Sequence, residues 1–405
     1  MTIFRKLLLS ALAALMAPAI ALAAPRAPAD PPRRVLHVSL YPYIPDAAAA
    51  ALTLKQGFER THPGVIVEIS FNPNYYSLVP ADKGVLYEEA DVHEIDVIFL
   101  KDMLARKKLA PLPAAFIASL EPFEPMAVKA ATVDGRMVAV PQWMCADFLI
   151  YRADITGLDS AHTLGEVETA LAHDGLLADL SGDALGELYL SILAGRSATP
   201  GDVLSEAKSP PDAEMVARLN RMLALVPPGF GRTDAYKGVE SFYARQFARR
   251  EGGAVVGYSE MMHEVLDETA KACRLEARCV TAPELRVTAI PFADNRVRPM
   301  VWSDMFAIDA HVHGRKFTDA EAFIRYAVSM PAFRALLIPA AGEPPRYLLP
   351  AADAAFSDPA ILKNAPLYPR LKSIVDQGEV VSAPGLSTQM HDVAMRIDAD
   401  LPKTH

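Results

Sequence analysis

The stretch Val138-Ala-Val-Pro-Gln-Trp-Met-Cys145-Ala-Asp-Phe-Leu-Ile-Tyr151-Arg contains one of the three cysteines of this 405-residue chain, between two apolar runs. A free cysteine most often packs as a small, buried hydrophobic side chain. In an oxidising compartment an unpaired thiol is a chemical hazard, so its presence there indicates a role beyond packing. The choice between these interpretations of Cys145 depends on where the protein resides.

The N-terminus predicts export. The basic pair Arg5-Lys6 precedes an apolar run over residues 7–23 that ends in Ala-Leu-Ala, the small-residue pattern of a cleavage site. Pro18 interrupts this run, and no later segment supplies the roughly 20 apolar residues of a membrane span. We predict a signal peptide at residues 1–23, no membrane anchor, and a periplasmic or secreted protein. Residues 24–34, rich in Pro, Ala and Arg, should form a disordered leader because few of them can enter a core.

The other two cysteines, Cys273 and Cys279, lie close together in a charged, loop-like stretch. Export permits disulfides. Three cysteines allow three different single pairings, and sequence alone does not fix the choice. From proximity we predict a Cys273–Cys279 disulfide, which leaves Cys145 free.

Composition limits the possible partners. The formal net charge is −9 and the isoelectric point lies near 5.6. No cluster of Lys and Arg stands out, which argues against binding to nucleic acid or to an anionic membrane surface. An acidic cleft suits a neutral or cationic small molecule instead. His311-Val-His313 would place two imidazoles on one face of a strand, but no third ligand has matching spacing, so we predict no metal site.

Strand and helix patterns alternate along the chain, which favours an α/β fold. About 380 residues remain after removal of the signal peptide, more than one hydrophobic core usually holds, so we expect two lobes. A monomer is the default state for such a two-lobed fold. Asp134-Gly135 predicts a tight hairpin leading into the Cys145 segment. Ser259 is placed to cap a helix. The predicted strands are 35–40, 65–70, 95–100, 254–258, 286–290 and 299–308, and the predicted helices are 47–61, 238–250 and 319–329.

This order of elements resembles the type II periplasmic-binding-protein fold, in which two α/β lobes close over a ligand. The resemblance rests on the strand with Asp96, the Cys145 stretch, the helix before Gly252-Gly253 and the crossing around 289–307. It implies lobe I at 35–141 plus 305–345, lobe II at 146–300 plus 350–405, and crossings at 142–145, 301–304 and 346–349. Cys145 would then lie at the first crossing, on the floor of the cleft.

Within that fold the chain resembles the thiaminase I family, the thiamine pyridinylases. The order and spacing of several short motifs carry this resemblance. They are Leu40-Tyr41-Pro-Tyr43-Ile-Pro-Asp46, His62-Pro63-Gly64, Pro73-Asn74-Tyr75-Tyr76, Ile95-Asp96, Pro141-Gln142 with Cys145, Gly257-Tyr258-Ser259-Glu260, and Trp302-Ser303-Asp304. The chain differs at Trp302, where the family leads us to expect tyrosine, and at Ala146-Asp147, where we expect smaller or amide-bearing residues.

The resemblance implies a nucleophile, a base and a binding pocket. Cys145 would be the nucleophile, and Glu260 would be the base that activates it. The substrate-binding residues would be Tyr41, Tyr43, Tyr76, Asp96, Tyr243, Tyr258, Trp302 and Asp304. Aromatic rings stack on flat heterocycles and attract cations, and carboxylates accept hydrogen bonds and balance positive charge. Without the resemblance, the tyrosines equally fit packing, Asp96 a turn cap and Glu260 an acid in the first turn of a helix.

The implied function is a thiamine-degrading transferase. A thiolate at Cys145 would attack the pyrimidine, the thiazole would leave, and an external amine, pyridine or thiol would displace the enzyme sulfur. A carboxylate in a partly desolvated cleft has its pKa raised toward the range of a useful base, so Glu260 fits, and no cofactor is required.

The alternative on the same fold is a periplasmic solute-binding protein that delivers thiamine or a related small molecule to an ABC transporter. Only Cys145 and Glu260 separate the two functions. A glycan or peptide binder would need a longer cleft.

Overall fold

Alternating strands and helices form the protein, as the computed structural model shows for residues 33–72, 75–76, 90–197, 199–211, 213–230, 241–272, 278–291 and 298–401. The strands are β1 (Arg34–Leu40), β2 (Val65–Phe71), β3 (Val92–Asp96), β4 (Thr132–Val133), β5 (Arg136–Met137), β6 (Val140–Cys145), β7 (Phe148–Arg152), β8 (Leu176–Leu177), β9 (Ala254–Gly257), β10 (Leu285–Thr288), β11 (Trp302–Ile308) and β12 (Leu349–Pro350). The helices are α1 (Ala47–Thr61), α2 (Val97–Ala105), α3 (Ala114–Ile117), α4 (Pro125–Ala131), α5 (Leu164–Leu171), α6 (Gly182–Arg196), α7 (Pro200–Lys208), α8 (Ala213–Leu225), α9 (Phe242–Ala248), α10 (Met261–Ala272), α11 (Gly314–Ala327), α12 (Met330–Leu337), α13 (Pro359–Asn364), α14 (Tyr368–Val375) and α15 (Leu386–Asp400).

The described strands assemble into two mixed sheets and one short hairpin. The first sheet has the order β12-β6-β11-β3-β1-β2, and the second has the order β10-β7-β9-β8. In the first sheet β1 runs parallel to β2 and β3, whereas β11 runs antiparallel to both β3 and β6. In the second sheet β7 lies antiparallel between β9 and β10. β4 and β5 form the hairpin.

The chain passes from the first sheet to the second immediately after Cys145. This residue ends β6, and β7 begins at Phe148 in the other sheet. Residues 302–304 open β11, so the segments predicted as the first two crossings lie mostly at strand ends of the first sheet. The limits of the two lobes stay a prediction. The first predicted crossing segment thus ends where two sheets meet.

Apolar faces explain why β1 and α1 form where they do. In β1, Leu36 and Val38 are fully buried and alternate with more accessible residues, as in a strand with one face on a core. In α1, Ala50, Leu54 and Phe58 recur at the spacing of one helix face and are buried. This face packs α1 against β2 and α12. The apolar residues whose spacing predicted β1 and α1 are therefore the residues that these elements bury.

Several predicted elements are confirmed. The strands predicted at 35–40, 65–70 and 254–258 and the helix predicted at 47–61 are present with small shifts of their ends. The hairpin predicted at Asp134-Gly135 joins β4 to β5, with φ of 50° and 73° at the two turn residues. Positive φ at both central positions is what a tight two-residue hairpin requires.

The prediction of a strand over residues 95–100 was wrong. β3 ends at Asp96, and Val97 begins helix α2. The Asp96 side chain accepts a hydrogen bond from the N–H of Ile98 at 3.0 Å and so caps this helix. A short apolar run does not distinguish a buried strand from a buried helix. The helix predicted at 319–329 is also longer than expected, because α11 begins at Gly314.

Other boundaries differ by a few residues. The helix predicted at 238–250 is α9 from Phe242 to Ala248, with residues 238–240 outside the described ranges. The extended segments predicted at 286–290 and 299–308 correspond to β10 and β11. The predicted signal peptide and nearly all of the leader lie in residues 1–32, outside the described part of the chain, and β1 begins at Arg34. None of the helices in the described part is long and apolar enough to cross a membrane.

Candidate active site at the junction of the two sheets

Cys145 is a free thiol at the junction of the two sheets. Its side chain is half-buried. The Sγ atom lies 3.7 Å from Oδ2 of Asp304, within hydrogen-bonding reach for sulfur. Burial raises the pKa of the Cys145 thiol well above its usual value, and the charges of Asp304, Glu260 and Asp96 raise it further. This environment favours the protonated thiol unless a base or a positive charge compensates.

Strand register brings four of the predicted site residues onto one face of the first sheet. Trp302 of β11 lies opposite Cys145 of β6, and Asp304 lies opposite Asp96 of β3. Residues directly opposite each other on neighbouring strands share a face, as do alternate residues of one strand. Cys145, Trp302, Asp304 and Asp96 therefore project from the same side, where β6, β11 and β3 run side by side.

Asp96 and Asp304 form a buried acidic pair on this face. Asp96 is 7 % exposed and Asp304 is 3 % exposed. Burial raises the pKa of Asp96 to about 6, although hydrogen bonds from the backbone and from Tyr76 oppose the rise. Burial and the charge of Asp96 raise the pKa of Asp304 well above its usual value. Oδ1 of Asp304 has no hydrogen-bond donor among the described residues. The pair is therefore suited to a ligand that donates hydrogen bonds or carries positive charge.

A tyrosine cluster adjoins the acidic pair. Tyr76 donates a hydrogen bond from its hydroxyl to Oδ2 of Asp96 at 2.8 Å, and its hydroxyl lies 3.2 Å from that of Tyr41. The Tyr43 ring stacks on the Tyr76 ring with 5.6 Å between centroids and meets the Tyr41 ring edge-on. Tyr43 is 40 % exposed, so the stack reaches solvent. The predicted residues Tyr41, Tyr43 and Tyr76 thus form one wall beside Asp96.

Tyr258 and Glu260 follow β9, a strand of the second sheet, so the site includes residues from both sheets. Glu260 is partly buried, and Ser259 donates a hydrogen bond to its Oε2 at 3.1 Å. Burial raises the pKa of Glu260 to about 7, while its hydrogen bonds oppose the rise and the charge of Asp147 adds to it. The carboxyl hydrogen-bonded to the Cys145 thiol is that of Asp304, and Glu260 acts on this thiol through its charge. The role of Glu260 as base stays a prediction.

Two of the predicted pocket residues occupy packed positions. Trp302 is only 4 % exposed and lies opposite Cys145. Tyr243 is 8 % exposed in α9, where its ring meets that of Phe242 edge-on at 5.2 Å between centroids. Helix α9 packs against β9 and α10, the elements on either side of Tyr258 and Glu260. Contact of either ring with a ligand stays a prediction.

The structure adds acidic residues and one tyrosine that the sequence interpretation missed. The hydroxyl of Tyr75 accepts a hydrogen bond from the N–H of Asp96 at 2.7 Å and donates one to the Glu94 carbonyl at 3.2 Å. Burial raises the pKa of the Glu94 carboxyl to about 8. Glu187 of α6 accepts a hydrogen bond from the Tyr258 hydroxyl. The departure from the family pattern at residues 146–147 could have identified Asp147 as a candidate site residue. Nothing in the sequence distinguished Glu187 from other acids on helices.

The remaining predictions concern disulfides and metals. Cys279 is disulfide-bonded, but Cys273 lies outside the described residues, so the Cys273–Cys279 pairing stays a prediction. His311 lies in a turn after β11 rather than in a strand, with Nδ1 2.6 Å from Oδ1 of Asp309. Across the described ranges, no three His, Cys, Asp or Glu side chains are grouped to hold a metal ion.

The fold is the mixed α/β fold of type II periplasmic-binding proteins. A T. maritima protein solved with bound maltose is similar in structure, with a TM-score of 0.64, 17 % identity, and coverage of 90 % of this chain and 98 % of that one. The class predicted from the order of elements is therefore confirmed. No protein-family model matches the chain.

Among proteins of this fold, the chain is similar to thiaminase I. Its sequence is 24 % identical over 356 residues to thiaminase-1 of Paenibacillus thiaminolyticus, which covers 84 % of this chain and 81 % of that protein. The structure of thiaminase I from Bacillus thiaminolyticus is similar with a TM-score of 0.75 and 24 % identity, covering 91 % of this chain and all of that one. Clostridium botulinum thiaminase I in complex with thiamin gives a TM-score of 0.72 at 18 % identity, with coverage of 90 % and 99 %.

Proposed function

We propose that this protein is a thiamine-degrading transferase, a thiamine pyridinylase, that works through a covalent bond between Cys145 and the pyrimidine. The observation that carries the proposal is the free thiol of Cys145 in contact with the buried carboxyl of Asp304, beside the tyrosine cluster. The similarity to thiaminase I over 84 % of the chain supports it. A solute-binding protein of this fold has no need of such a thiol.

The charge of the site favours a cationic substrate. Six carboxyls lie around the junction, and none of them forms an ion pair with Lys, Arg or His within the described ranges. They are Glu94, Asp96, Asp147, Glu187, Glu260 and Asp304. Burial raises the pKa of every one of them, because a carboxylate that is removed from water loses its hydration. The thiazolium of thiamine would supply the missing positive charge and stack on the tyrosines.

The chemistry we propose consists of two transfers. In the first, the Cys145 thiol gives its proton to Glu260, and the sulfur forms a bond to the pyrimidine ring. The bond between the pyrimidine methylene and the thiazolium nitrogen then breaks, its electron pair stays on nitrogen, and the thiazole leaves neutral. In the second, the external base bonds to the methylene carbon, and the electron pair of the C–S bond returns to sulfur. No metal or redox partner enters either transfer.

The covalent adduct is the direct test. Intact-mass measurement of the mature protein with thiamine should show the mass of a bound pyrimidine, which an added amine, pyridine or thiol then removes as product. Cys145→Ser should give neither adduct nor product, while Asp183→Asn, a change of an exposed acid on α6, should give both. Tight thiamine binding without turnover in the wild type would contradict the transferase and favour a solute-binding protein.

Steady-state kinetics test the order of the two transfers. If the thiazole leaves before the acceptor binds, double-reciprocal plots at several acceptor concentrations should be parallel. Intersecting lines would indicate that thiamine and acceptor react in one ternary complex. That result would reject the covalent scheme even if thiamine were consumed.

We also propose that residues 1–23 direct export and are then removed. Expression of the full chain in a Gram-negative host should yield a periplasmic or secreted protein. Its intact mass should correspond to cleavage after Ala23 or Ala24. Retention of the uncleaved chain in the cytoplasm or membrane would contradict this proposal.

A further inference from the structure

The half of the site on the second sheet contains two acids, Asp147 and Glu187, to which the two proposed transfers assign neither a bond nor a proton. Strands β7 and β9 pair through Phe148 and Gly257, so the next residues outward, Asp147 and Tyr258, follow at the same end of the pair. The Tyr258 hydroxyl donates a hydrogen bond to Glu187 of α6. Asp147, Tyr258 and Glu187 are therefore treated as one row, defined by this strand pairing and this hydrogen bond, that begins two residues from Cys145.

This row is electrostatically uncompensated. Burial raises the pKa of Asp147 to about 7. Burial and then the charge of Asp147 raise the pKa of Glu187 well above its usual value, although the hydrogen bond from Tyr258 opposes the rise. Within the described residues neither carboxyl has a cationic partner. A ligand with a positive charge would stabilise the ionised form of both carboxyls.

A separate observation in the first sheet points to a ligand at the same junction. The Asp304 residue is 3 % exposed, and its Oδ2 contacts the Cys145 sulfur. Its Oδ1 has no donor among the described residues, whereas buried carboxylate oxygens are ordinarily hydrogen-bonded. The site therefore presents an unsatisfied acceptor on Asp304 in the first sheet, together with the carboxyls of Asp147 and Glu187, which have no cationic partner within the described residues.

We infer that Asp147 and Glu187, with Tyr258, form a subsite for the acceptor that selects a nucleophile carrying a positively charged group. This inference rests on the proposed function and names the class of its second substrate. After the thiazole has left, the acceptor must reach the methylene carbon beside Cys145, so its remaining atoms lie along the adjacent wall. A cationic tail on that wall meets two carboxyls, and an anionic tail is repelled.

Three small thiols separate tail charge from nucleophile type. Cysteamine has a cationic tail, 2-mercaptoethanol a neutral one and 3-mercaptopropionate an anionic one, and each attacks through sulfur. In every case the new C–S bond forms at the methylene carbon, the acceptor thiol proton passes to a carboxylate of the site, and the Cys145 thiolate leaves. In a two-transfer scheme, kcat/KM for the acceptor reports the second transfer alone. The ratio of kcat/KM for cysteamine to that for 3-mercaptopropionate therefore measures the selectivity of the subsite.

The test compares this ratio in the wild type, Asp147→Asn and Glu187→Gln. We expect each substitution to lower the ratio by about tenfold, with little change for 2-mercaptoethanol. Glu214→Gln removes the charge of an exposed acid on α8 and is the control, expected to change the ratio by less than about twofold. Intrinsic differences in thiol reactivity cancel when a variant is compared with the wild type. Loss of folded protein also cancels, because both rates come from one preparation.

The outcomes of this test are distinct. A tenfold fall of the ratio in both variants supports the subsite. An unchanged ratio in both variants, with thiazole still released, overturns the subsite and leaves the proposed transferase in place. Failure of the wild type to release thiazole with any of the three thiols overturns the transferase and the subsite together.

Discussion

At the scale of single residues, the decisive contact is between Cys145 and Asp304. A carboxyl beside a thiol is an unusual way to prepare a nucleophile, because negative charge disfavours the thiolate. The arrangement makes sense if the thiolate is required only when a cationic substrate is present. Thiolate formation would then be coupled to substrate binding, and the unoccupied site would be protected from oxidation, to which the thiolate is more prone.

The first prediction follows from this coupling. Asp304→Asn removes a negative charge from the neighbourhood of the sulfur, so the pKa of the Cys145 thiol should fall. The rate of alkylation by iodoacetamide, followed by intact mass from pH 6 to 10, should show a midpoint at lower pH than in the wild type. An unchanged or higher midpoint would show that burial alone sets the reactivity of this thiol. Glu214→Asn, at an exposed acid, is the control.

The second prediction concerns the pH dependence of catalysis. The pKa of Glu260 is raised to about 7, so this carboxyl is protonated below that pH and is a base only above it. We expect kcat/KM for thiamine to rise as the pH increases through about 7. Glu260→Gln should lower kcat/KM by about 100-fold and remove this rise. If the rise persists in the variant, another carboxyl accepts the proton, and Asp304 is the one in contact with the sulfur.

At the scale of elements, local patterns identified β1, β2 and α1 because each has one face on a core and one face toward polar surroundings. The run at 95–100 misled the interpretation because it is buried on all sides, and burial erases the periodicity that separates strand from helix. The Asp96 side chain accepts a hydrogen bond from the Ile98 N–H and caps α2, where the apolar run had predicted a strand.

The same limit applies to the site. The structure brings together Cys145, Asp96, Asp304 and the tyrosines 41, 43 and 76, and their roles in binding and catalysis stay predictions. Asp147 and Glu187 were not recognised, because their significance comes from a partner distant in sequence. Glu187 and Tyr258 are 71 residues apart, and no local pattern marks an acid that meets a tyrosine from another element. A lack of cationic partners in the folded structure leaves no pattern in the amino-acid sequence.

The third prediction concerns the helix that carries Glu187. Gly186 lies where α6 crosses α15, and a Cβ there would lie 2.9 Å from the Met390 carbonyl oxygen and 3.1 Å from Cβ of Ala394. Gly186→Ala should force the two helices apart and destabilise the protein by about 1–3 kcal/mol in urea unfolding. Gly201→Ala in α7 meets nothing closer than 3.7 Å and should be neutral or slightly stabilising. Equal stabilities of the two variants would contradict the close packing of α6 on α15.

At the scale of the whole molecule, α15 connects the two halves of the fold. Its body packs against α6 and α7, and it also contacts α2, which lies on the first sheet. Its start is fixed to α2 because the Asp102 carboxylate accepts hydrogen bonds from the Gly385 N–H at 2.9 and 3.0 Å. Helix α15, the last one in the described part of the chain, therefore links the helix after Asp96 to the helix that carries Glu187.

The fourth prediction tests this link. Asp102→Ala leaves the Gly385 N–H without its carboxylate and should destabilise the protein by about 1–2 kcal/mol in thermal or urea unfolding. Glu214→Ala removes an exposed ion pair with Arg218 and should cost less than about 1 kcal/mol. If both variants unfold alike, the contact between α2 and α15 contributes nothing to stability.

The strand order of the first sheet has a consequence for how the protein matures. β6 lies between β11 and β12, so the Cys145 sulfur and its Asp304 partner are separated by 159 positions of chain. A nascent chain that has emerged from the ribosome only as far as Cys145 has no neighbouring strand to receive β6. If residues 1–23 direct export as proposed, the polypeptide can be threaded through the translocation channel before its first sheet can close. A thiamine-destroying site would then form only on the far side of the membrane, away from the coenzyme pool of the cell that makes it.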